Sequence, residues 1–475
     1  MGVRQDAPAA VGWNTMNGAV EFPLDVAELS FAASGDALVR RTVLPSGVRI
    51  LSEHVPGSRS ATLGYWVAVG SRDERGGETP GASESGYGST HFLEHLLFKG
   101  TPTRTAFDIA IAFDSVGGEH NALTAKEHTC YYAKVRDHDL GMAVEVIADM
   151  LTSSLLDADE FENERGVILE ELAMAEDDPG DVVSQRLFEA VLGDHALGRP
   201  IGGTPDAIRQ VTRDAVLAHY RENYRPQDLV ITAAGAVDHD ALVAGVTTAL
   251  TAAGWDLSAT ARPVERRHQG DSPVTRGAVL SVETRPIEQV HLLIGFPGLA
   301  AADDRRLTMG VLSSILGGGM SSRLFQEIRE KRGLAYSVYS FSASYSDAGV
   351  FGLYGACSPA RAREVADLML DELRRLATDG ITDDELARAN GALSGASALA
   401  LEDSDTRMSR LGRAEITLGE FLDLDESLRR LALVTTDDVQ ALAADLVARP
   451  LSLAAVGAVD DDVFAGFGED NRSTS

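Results

Sequence analysis

Hydrophobic and polar residues follow two different periods along the chain, and each period predicts its own type of element. Apolar and polar residues alternate over residues 129–135, which predicts a β-strand, and another strand is predicted over residues 61–69. Two β-rich runs flank the turn formers Pro45, Ser46 and Gly47, a pattern typical of a hairpin. Helical spacing predicts helices over residues 91–100, 107–116, 139–155, 157–176 and 182–192. The predicted elements are thus a mixture of strands and helices.

The pattern also repeats over a long distance. A helix that begins near Thr212 leads to the apolar run 229–238, and a helix that begins near Thr435 leads to a closely similar run at 451–460. Gly457 lies 222 residues after Gly235 in the two runs. Two homologous halves of about that length are the simplest explanation.

The repeat divides the chain into a first half, residues 39–257, a polar linker, residues 258–274, and a second half, residues 275–466. Residues 1–38 lack sustained periodicity, so we expect a poorly ordered N-terminal extension there. Residues 467–475 are predicted to form a C-terminal tail.

Composition narrows the class of protein. The chain has 475 residues, a length that indicates more than one domain. Of these residues 44% are hydrophobic and 24% are charged, which is typical of a globular protein. Its net charge of −30 argues against a nucleic-acid-binding protein, because phosphate contacts need a basic surface. The acidic charge either steers basic peptides towards a site or serves only solubility.

The chain shows no signal for a membrane or an organelle. No apolar run reaches the roughly 18 residues that a membrane helix needs. Acidic residues near the N-terminus, including Asp6 and Glu21, argue against a transit peptide, so we expect a cytoplasmic protein. Cys130 and Cys357, the only cysteines, are predicted to be buried thiols rather than a disulfide.

Residues 91–100 contain the clearest chemical motif. His91 and His95 stand four residues apart, so a helix places both imidazoles on one face, where they can bind one metal ion. Glu94 lies beside them and is the natural general base. The intervening apolar residues predict a buried, rigid helix that would hold such a site in place.

A catalytic zinc usually has three protein ligands, so a third must come from elsewhere. The acidic helix predicted over residues 157–176 offers Glu164 and Glu171, which share a face because they are seven residues apart. One of them can bind the metal while the other supports it from behind. Glu170 is an adjacent candidate, but the spacing from Glu164 favours Glu171.

The motif His-x-x-Glu-His is the inverted zinc-protease motif of the inverzincins. With Glu164, Arg165 and Glu171 in the second helix, the chain resembles the pitrilysin family of zinc metallopeptidases, in particular the bacterial relatives of the mitochondrial processing peptidase. The resemblance implies that His91, His95 and Glu171 bind one zinc ion, with Glu94 as the base and Glu164 as a supporting carboxylate. It also implies two α+β halves that enclose a chamber.

Further stretches extend the resemblance towards substrate binding. Asn121 and Ala122 match the family segment whose backbone pairs with the substrate, although Leu123 replaces the usual aromatic residue. After the glycine run 317–319, Arg329 and Tyr336 match the pair that reaches the peptide from the second half. Tyr336 would then donate a hydrogen bond to the carbonyl oxygen as it gains charge.

The resemblance therefore implies a zinc-dependent endopeptidase that acts on extended peptides, which could be basic. Two such chains, identical or paired with an inactive relative, would close the chamber. The alternative is a non-catalytic structural or substrate-holding subunit, but chains of that kind usually lose the His or Glu ligands. Residues 76–90, a turn-rich stretch before the first motif, are longer than in relatives and could alter access.

Overall fold

The computed structural model describes residues 18–76, 86–267 and 279–468. Its strands are β1 (Val20–Glu21), β2 (Glu28–Ala33), β3 (Ala37–Val43), β4 (Arg49–His54), β5 (Ser60–Val67), β6 (Glu119–Thr124), β7 (Thr129–Arg136), β8 (Leu229–Gly235), β9 (Leu280–Thr284), β10 (Val290–Pro297), β11 (Ala335–Ser344), β12 (Gly349–Cys357), β13 (Glu420–Phe421) and β14 (Ser452–Gly457). Its helices are α1 (Ser89–Leu97), α2 (Ala106–Asp114), α3 (Leu140–Ser153), α4 (Ala158–Asp177), α5 (Pro179–Leu192), α6 (Pro205–Gln210), α7 (Arg213–Asn223), α8 (His239–Ala252), α9 (Arg306–Gly317), α10 (Ala362–Asp379), α11 (Asp383–Ala400), α12 (Ser404–Arg413), α13 (Leu424–Leu431) and α14 (Thr436–Ala448).

The first half builds a seven-stranded sheet in the order β2-β3-β4-β8-β5-β7-β6. Its neighbouring strands are antiparallel except for β4 and β8, which run parallel. A large buried cluster joins one face of this sheet to α1, α3 and α8. Strand β6 forms an edge of the sheet, and within the described chain only β7 pairs with it.

The second half repeats this plan with five strands in the order β11-β12-β10-β14-β9. Strands β9 and β14 run parallel, as β4 and β8 do. The predicted repeat is visible in detail, because α7 and α14 are both capped by a threonine hydroxyl, from Thr212 and Thr435, and both lead into the parallel strand of their sheet. The architecture of two α+β halves within one chain is confirmed.

One helix from each half also packs against the sheet of the other half. Helix α5, from the first half, packs on the second sheet through Val183 and Leu187, which contact the buried face that includes Leu293. Helix α12, from the second half, packs on the first sheet, where Met408 lies in a cluster with Trp66. The two halves are therefore joined by two separate apolar interfaces.

The expectation for residues 1–38 is wrong over residues 18–38. Strand β2 pairs with β3 along its full length and adds an edge to the first sheet, and β1 pairs with β13 from the second half. This segment is ordered because the side chains of Leu29 and Phe22 are buried in the same hydrophobic cluster as Trp66. The two strands are short, so their periodicity was too brief to detect in the sequence.

Several predicted segments lie partly outside the described residues. These are residues 1–17 of the extension, 77–85 of the turn-rich stretch, 268–274 of the linker and 469–475 of the tail. Within the described part of the chain, no helix is long and apolar enough to cross a bilayer. Cys130 and Cys357 are both free and buried, as predicted.

Candidate metal centre

Helix α1 is held by apolar contacts on one side and by a capping carboxylate at its start. Phe92, Leu93, Leu96 and Leu97 are fully buried. The N-cap, Gly88, has no side chain to cap the helix, and Glu74 fulfils that role by accepting hydrogen bonds of 2.8 Å from the backbone N–H groups of Gly88 and Thr90. The histidines are thus left on the less buried side of a fixed helix.

Helix α4 supplies the carboxylates. Its N-cap, Asp157, accepts hydrogen bonds from the backbone of Asp159 and Glu160, and acidic residues in the first turn suit the positive end of the helix dipole. The rings of Phe92 and Phe161 stack with their centroids 4.3 Å apart and join α4 to α1. This contact brings Glu164 and Glu171 beside the histidines.

His91, His95 and Glu171 converge, and their possible ligand atoms all lie within 4.8 Å of one another. The two Nε2 atoms are 3.3 Å apart, and the nearest Glu171 oxygen lies 3.4 Å from Nε2 of His95 and 3.8 Å from Nε2 of His91. Tetrahedral zinc ligands at bond lengths near 2.1 Å are about 3.4 Å apart. Exposed Glu170 lies outside the cluster.

The protonation of the histidines also fits a metal. Burial, together with the neighbouring His95, lowers the pKa of His91 to about 4, so its imidazole is neutral near pH 7. A neutral imidazole is the form that binds metal ions. Two nitrogens and one carboxylate oxygen form a donor set that zinc uses in catalytic sites.

Glu164 holds His95 from behind. One carboxylate oxygen of Glu164 lies 2.9 Å from Nδ1 of His95, and the other accepts a hydrogen bond of 2.5 Å from Nζ of Lys99. Burial tends to raise the pKa of Glu164, but these two partners outweigh it and leave the pKa below its ordinary value. An ionised Glu164 requires a proton on Nδ1 of His95, which leaves Nε2 free to bind a metal.

Glu94 points towards the same cleft and accepts a hydrogen bond from the hydroxyl of Thr124 on β6. Burial is the main influence on this carboxylate and raises its pKa, although Thr124 and His95 oppose the rise. A carboxylate whose pKa is raised towards neutrality is better suited to accept and release a proton. Glu94 therefore has the environment of a general base.

A cleft of about 470 Å³ opens beside His91 and Glu94. The β6–β7 segment forms one wall through Ala122, Leu123, Thr124 and Lys126. Helices α4 and α5 and the loop that contains Arg199 form the other walls. All described lining residues belong to the first half, and α5, which forms one wall, also packs on the second sheet.

The predicted substrate-binding residues do not all lie at the cleft. Asn121 is exposed on the edge strand β6, and Ala122 lines the cleft. Arg329 donates a hydrogen bond of 2.8 Å to the carbonyl oxygen of Tyr336 and stacks on its ring, which is exposed. Neither Arg329 nor Tyr336 is among the described residues that line the cleft.

Models of known protein families match most of the chain. The model described as "Insulinase (Peptidase family M16)" matches residues 49–205, and the model described as "Peptidase M16 inactive domain" matches residues 210–393. The chain belongs to the M16 peptidase family. The prediction of a pitrilysin-type fold and family is thereby confirmed, and the half that matches the peptidase model is the one that holds the His-His-Glu cluster.

Relatives of this M16 chain extend over nearly its whole length. It is 49% identical to an uncharacterised zinc protease of Streptomyces coelicolor, over 90% of this chain and 91% of that protein. It is 37% identical to the uncharacterised zinc protease YmxG of Bacillus subtilis, over 88% of this chain and 98% of that protein. The crystal structure of a protease from Helicobacter pylori has the same fold, with a TM-score of 0.78 and 21% identity over 90% of this chain and all of that one.

Other parts of this M16 site were not identified from the sequence. They are Glu74, which caps α1, Lys99, which pairs with Glu164, Thr124, which donates to Glu94, and Lys126, which lines the cleft. Lys99 follows His95 by four residues, so the helix predicted over residues 91–100 would have placed it on the face of His95, although α1 ends at Leu97. The others depend on contacts between distant segments, for which the sequence pattern carries no signal.

Proposed function

We propose that this chain is a zinc-dependent endopeptidase in which His91, His95 and Glu171 hold the metal ion. The observation that carries the proposal is the convergence of two imidazole nitrogens and one carboxylate oxygen within 4.8 Å, with Glu94 at the same cleft. The relatives named zinc proteases support the same reaction class. Zinc, when bound, acidifies a water molecule and polarises the peptide carbonyl.

The protein residues move the proton. Glu94 removes a proton from the attacking water and later returns it to the amine of the leaving peptide. Its raised pKa suits both steps, because the carboxylate must bind and release the proton within one cycle. Thr124 holds the carboxylate in place through its hydroxyl group, and Glu164 orients His95.

The peptide is proposed to bind as an extended strand along β6, where Asn121 and Ala122 offer backbone groups at a sheet edge. We assign Arg329 and Tyr336 to the same peptide from the second half. The hydroxyl of Tyr336 would donate a hydrogen bond to the carbonyl oxygen as negative charge develops. The stacking of Arg329 on Tyr336 supports this role because it holds the exposed ring in one orientation.

The test compares wild type with Glu94→Gln on a mixed pool of peptides, with cleavage followed by mass spectrometry and bound zinc measured in both samples. We expect both proteins to retain zinc and only wild type to cut peptides. Glu170→Gln is a matched control, because Glu170 lies on α4 outside the metal cluster. Loss of zinc from Glu170→Gln, or equal cleavage by Glu94→Gln, would contradict the assignment.

A further inference from the structure

The cleft beside the metal centre contains a lysine without an acidic partner. Lys126 lines the cleft, and in the described part of the chain it forms no ion pair with a carboxylate. Most charged side chains of this protein have the opposite sign, since the chain carries 72 acidic and 42 basic residues. A half-buried cation without a counter-ion in such a protein is an unusual feature that suggests a ligand.

The ammonium group of Lys126 is fixed in position. Its Nζ atom donates a hydrogen bond of 2.6 Å to the carbonyl oxygen of Arg199 and lies 5.4 Å from the ring centre of Phe188 on α5. Arg199 is itself anchored, because its guanidinium group donates to backbone carbonyl groups of Arg72 and Glu74. An ammonium group has three N–H donors, so two remain for another partner.

Burial lowers the pKa of Lys126 to about 8, with a further contribution from the positive charge of Arg199. The side chain therefore still carries its charge at neutral pH. A carboxylate placed beside this ammonium group would relieve the cost of burying the charge, and a hydrogen bond between charged groups in a partly dry cleft is a strong one.

The other charges of the cleft reinforce this preference. The acidic residues among its described lining are Glu94 and Glu171, and both belong to the proposed metal centre. A divalent cation would offset those two charges, so that Lys126 and Arg199 determine the remaining charge of the cleft. The cleft would then be positive within a protein whose net charge is −30.

We propose that Lys126 is a specificity-determining residue that binds a carboxylate of the peptide substrate close to the scissile bond. This inference rests on the proposed peptidase function and names its substrate class. The carboxylate belongs either to an Asp or Glu side chain of the peptide or to its C-terminus. In both cases acidic peptides are preferred, in contrast to the basic peptides that the acidic net charge suggested.

The test starts from a peptide that wild type cleaves at one known bond. Each position near that bond is replaced in turn by Asp, by the isosteric neutral residue Asn, and by Lys, and every peptide is made with a free and with an amidated C-terminus. We expect one position at which Asp raises kcat/KM about tenfold over Asn, the usual scale for a hydrogen bond between charged groups. If amidation abolishes the preference instead, the C-terminal carboxylate is the group that is bound.

Three variants separate the role of Lys126 from a general effect of charge. In Lys126→Met the ratio of kcat/KM between the Asp and Asn peptides should fall towards one, whereas Lys126→Arg should keep most of it. Lys134→Met is the matched control, because Lys134 lies on the neighbouring strand β7 and pairs with Asp403 outside the cleft. It should leave the ratio unchanged. A preference that persists in Lys126→Met would overturn the proposal.

Binding measurements keep this test independent of turnover. The same peptides are titrated into zinc-loaded Glu94→Gln with fluorescence anisotropy as the signal. Tighter binding of the Asp peptide than of the Asn peptide, lost on adding Lys126→Met, supports the subsite even if no peptide is cut. Equal affinities, with normal cleavage by wild type, would refute the subsite and leave the proposed peptidase function intact.

Discussion

The Nδ1 atom of His95 lies 2.9 Å from a carboxylate oxygen of Glu164, whose other oxygen contacts Lys99. Glu164 therefore fixes the ring of His95 without occupying a position beside the metal. Partners of this kind raise the basicity of a ligand and hold it in the correct orientation. Their loss weakens metal binding without removing a ligand.

We accordingly expect Glu164→Gln to lower the affinity for zinc about 10- to 100-fold, the range typical of such partners. Competition with a fluorescent chelator measures this affinity directly. Glu162→Gln is a suitable control, since Glu162 is exposed on the same helix and pairs only with Arg165 in the described contacts. An unchanged zinc affinity in Glu164→Gln would show that the contact with His95 is incidental.

The hydrogen bond from Thr124 to Glu94 predicts a change in the pH profile. Because this bond stabilises the ionised carboxylate, Thr124→Val should raise the pKa of Glu94. The acid limb of kcat/KM should then move to higher pH. Thr248→Val, at an exposed position on α8, should leave the profile in place. A shift to lower pH would exclude Glu94 as the titrating base.

The raised pKa of Glu74 predicts how the stability of the metal-free protein depends on pH. Burial, opposed by the hydrogen bonds from Thr90 and Gly88, raises the pKa of Glu74 from 4.5 to about 7. The folded state therefore binds a proton more tightly than the unfolded state, and the associated stability is lost as the pH rises through 7. Between pH 6 and pH 8 the loss amounts to about 1 kcal/mol.

Urea unfolding of chelator-treated wild type and Glu74→Gln at both pH values measures this contribution. The variant cannot ionise at this position, so its stability should fall less between pH 6 and pH 8 than that of wild type. Glu265→Gln provides a comparison at a linker residue far from α1 in sequence. Parallel pH dependence in wild type and Glu74→Gln would contradict the raised pKa.

Of these substitutions, Glu415→Gln is expected to cause the largest loss of stability. The carboxylate of Glu415 is fully buried and accepts hydrogen bonds from Arg41 at 2.9 Å, Arg266 at 3.1 Å and Arg49 at 3.4 Å. These side chains come from the first sheet, the linker and the second half. Glu415→Gln would leave three guanidinium groups around a neutral amide, and removing one partner of a buried ion pair typically costs about 3–5 kcal/mol.

The free energy of unfolding of Glu415→Gln, from urea titration, tests this expectation. Glu420→Gln serves as the control, because Glu420 lies close by in sequence and forms a partly exposed pair with Arg306. Its effect should stay within about 1 kcal/mol, as for other exposed pairs. Equal losses in the two variants would mean that the cluster does not depend on the charge of Glu415.

The local parts of the fold and of the site could be predicted from the sequence. His91, Glu94 and His95 lie within one helical turn, so their arrangement follows from helical geometry alone. The helix–strand unit formed by α7 and β8 is repeated in the second half by α14 and β14. This repeat could be recognised in the sequence for a similar reason, since each copy is a short continuous segment. Glu171 could be singled out because its spacing from Glu164 places both on one face of α4.

Contacts between distant segments could not be predicted in the same way. An apolar stripe on α5 or α12 shows that the helix is buried, but the stripe carries no information about which sheet covers it. The link from Thr124 to Glu94 and the position of Lys126 depend on how β6 and β7 lie against α1 and α5. The strands before residue 38 were missed because β1 pairs with β13, far along the chain, and because the buried residues of the short strand β2 pack in a cluster with residues of the second half.

The exchange of α5 and α12 between the sheets has a consequence for synthesis on the ribosome. Chains grow from the N-terminus, so the first sheet is made long before Met408 and Leu411, the α12 residues that cover the side of Trp66. Likewise, the apolar face of α5 packs on β14, which is among the last segments to be synthesised. The nascent first half thus exposes two apolar surfaces until translation is nearly complete, which makes it a natural client for chaperones.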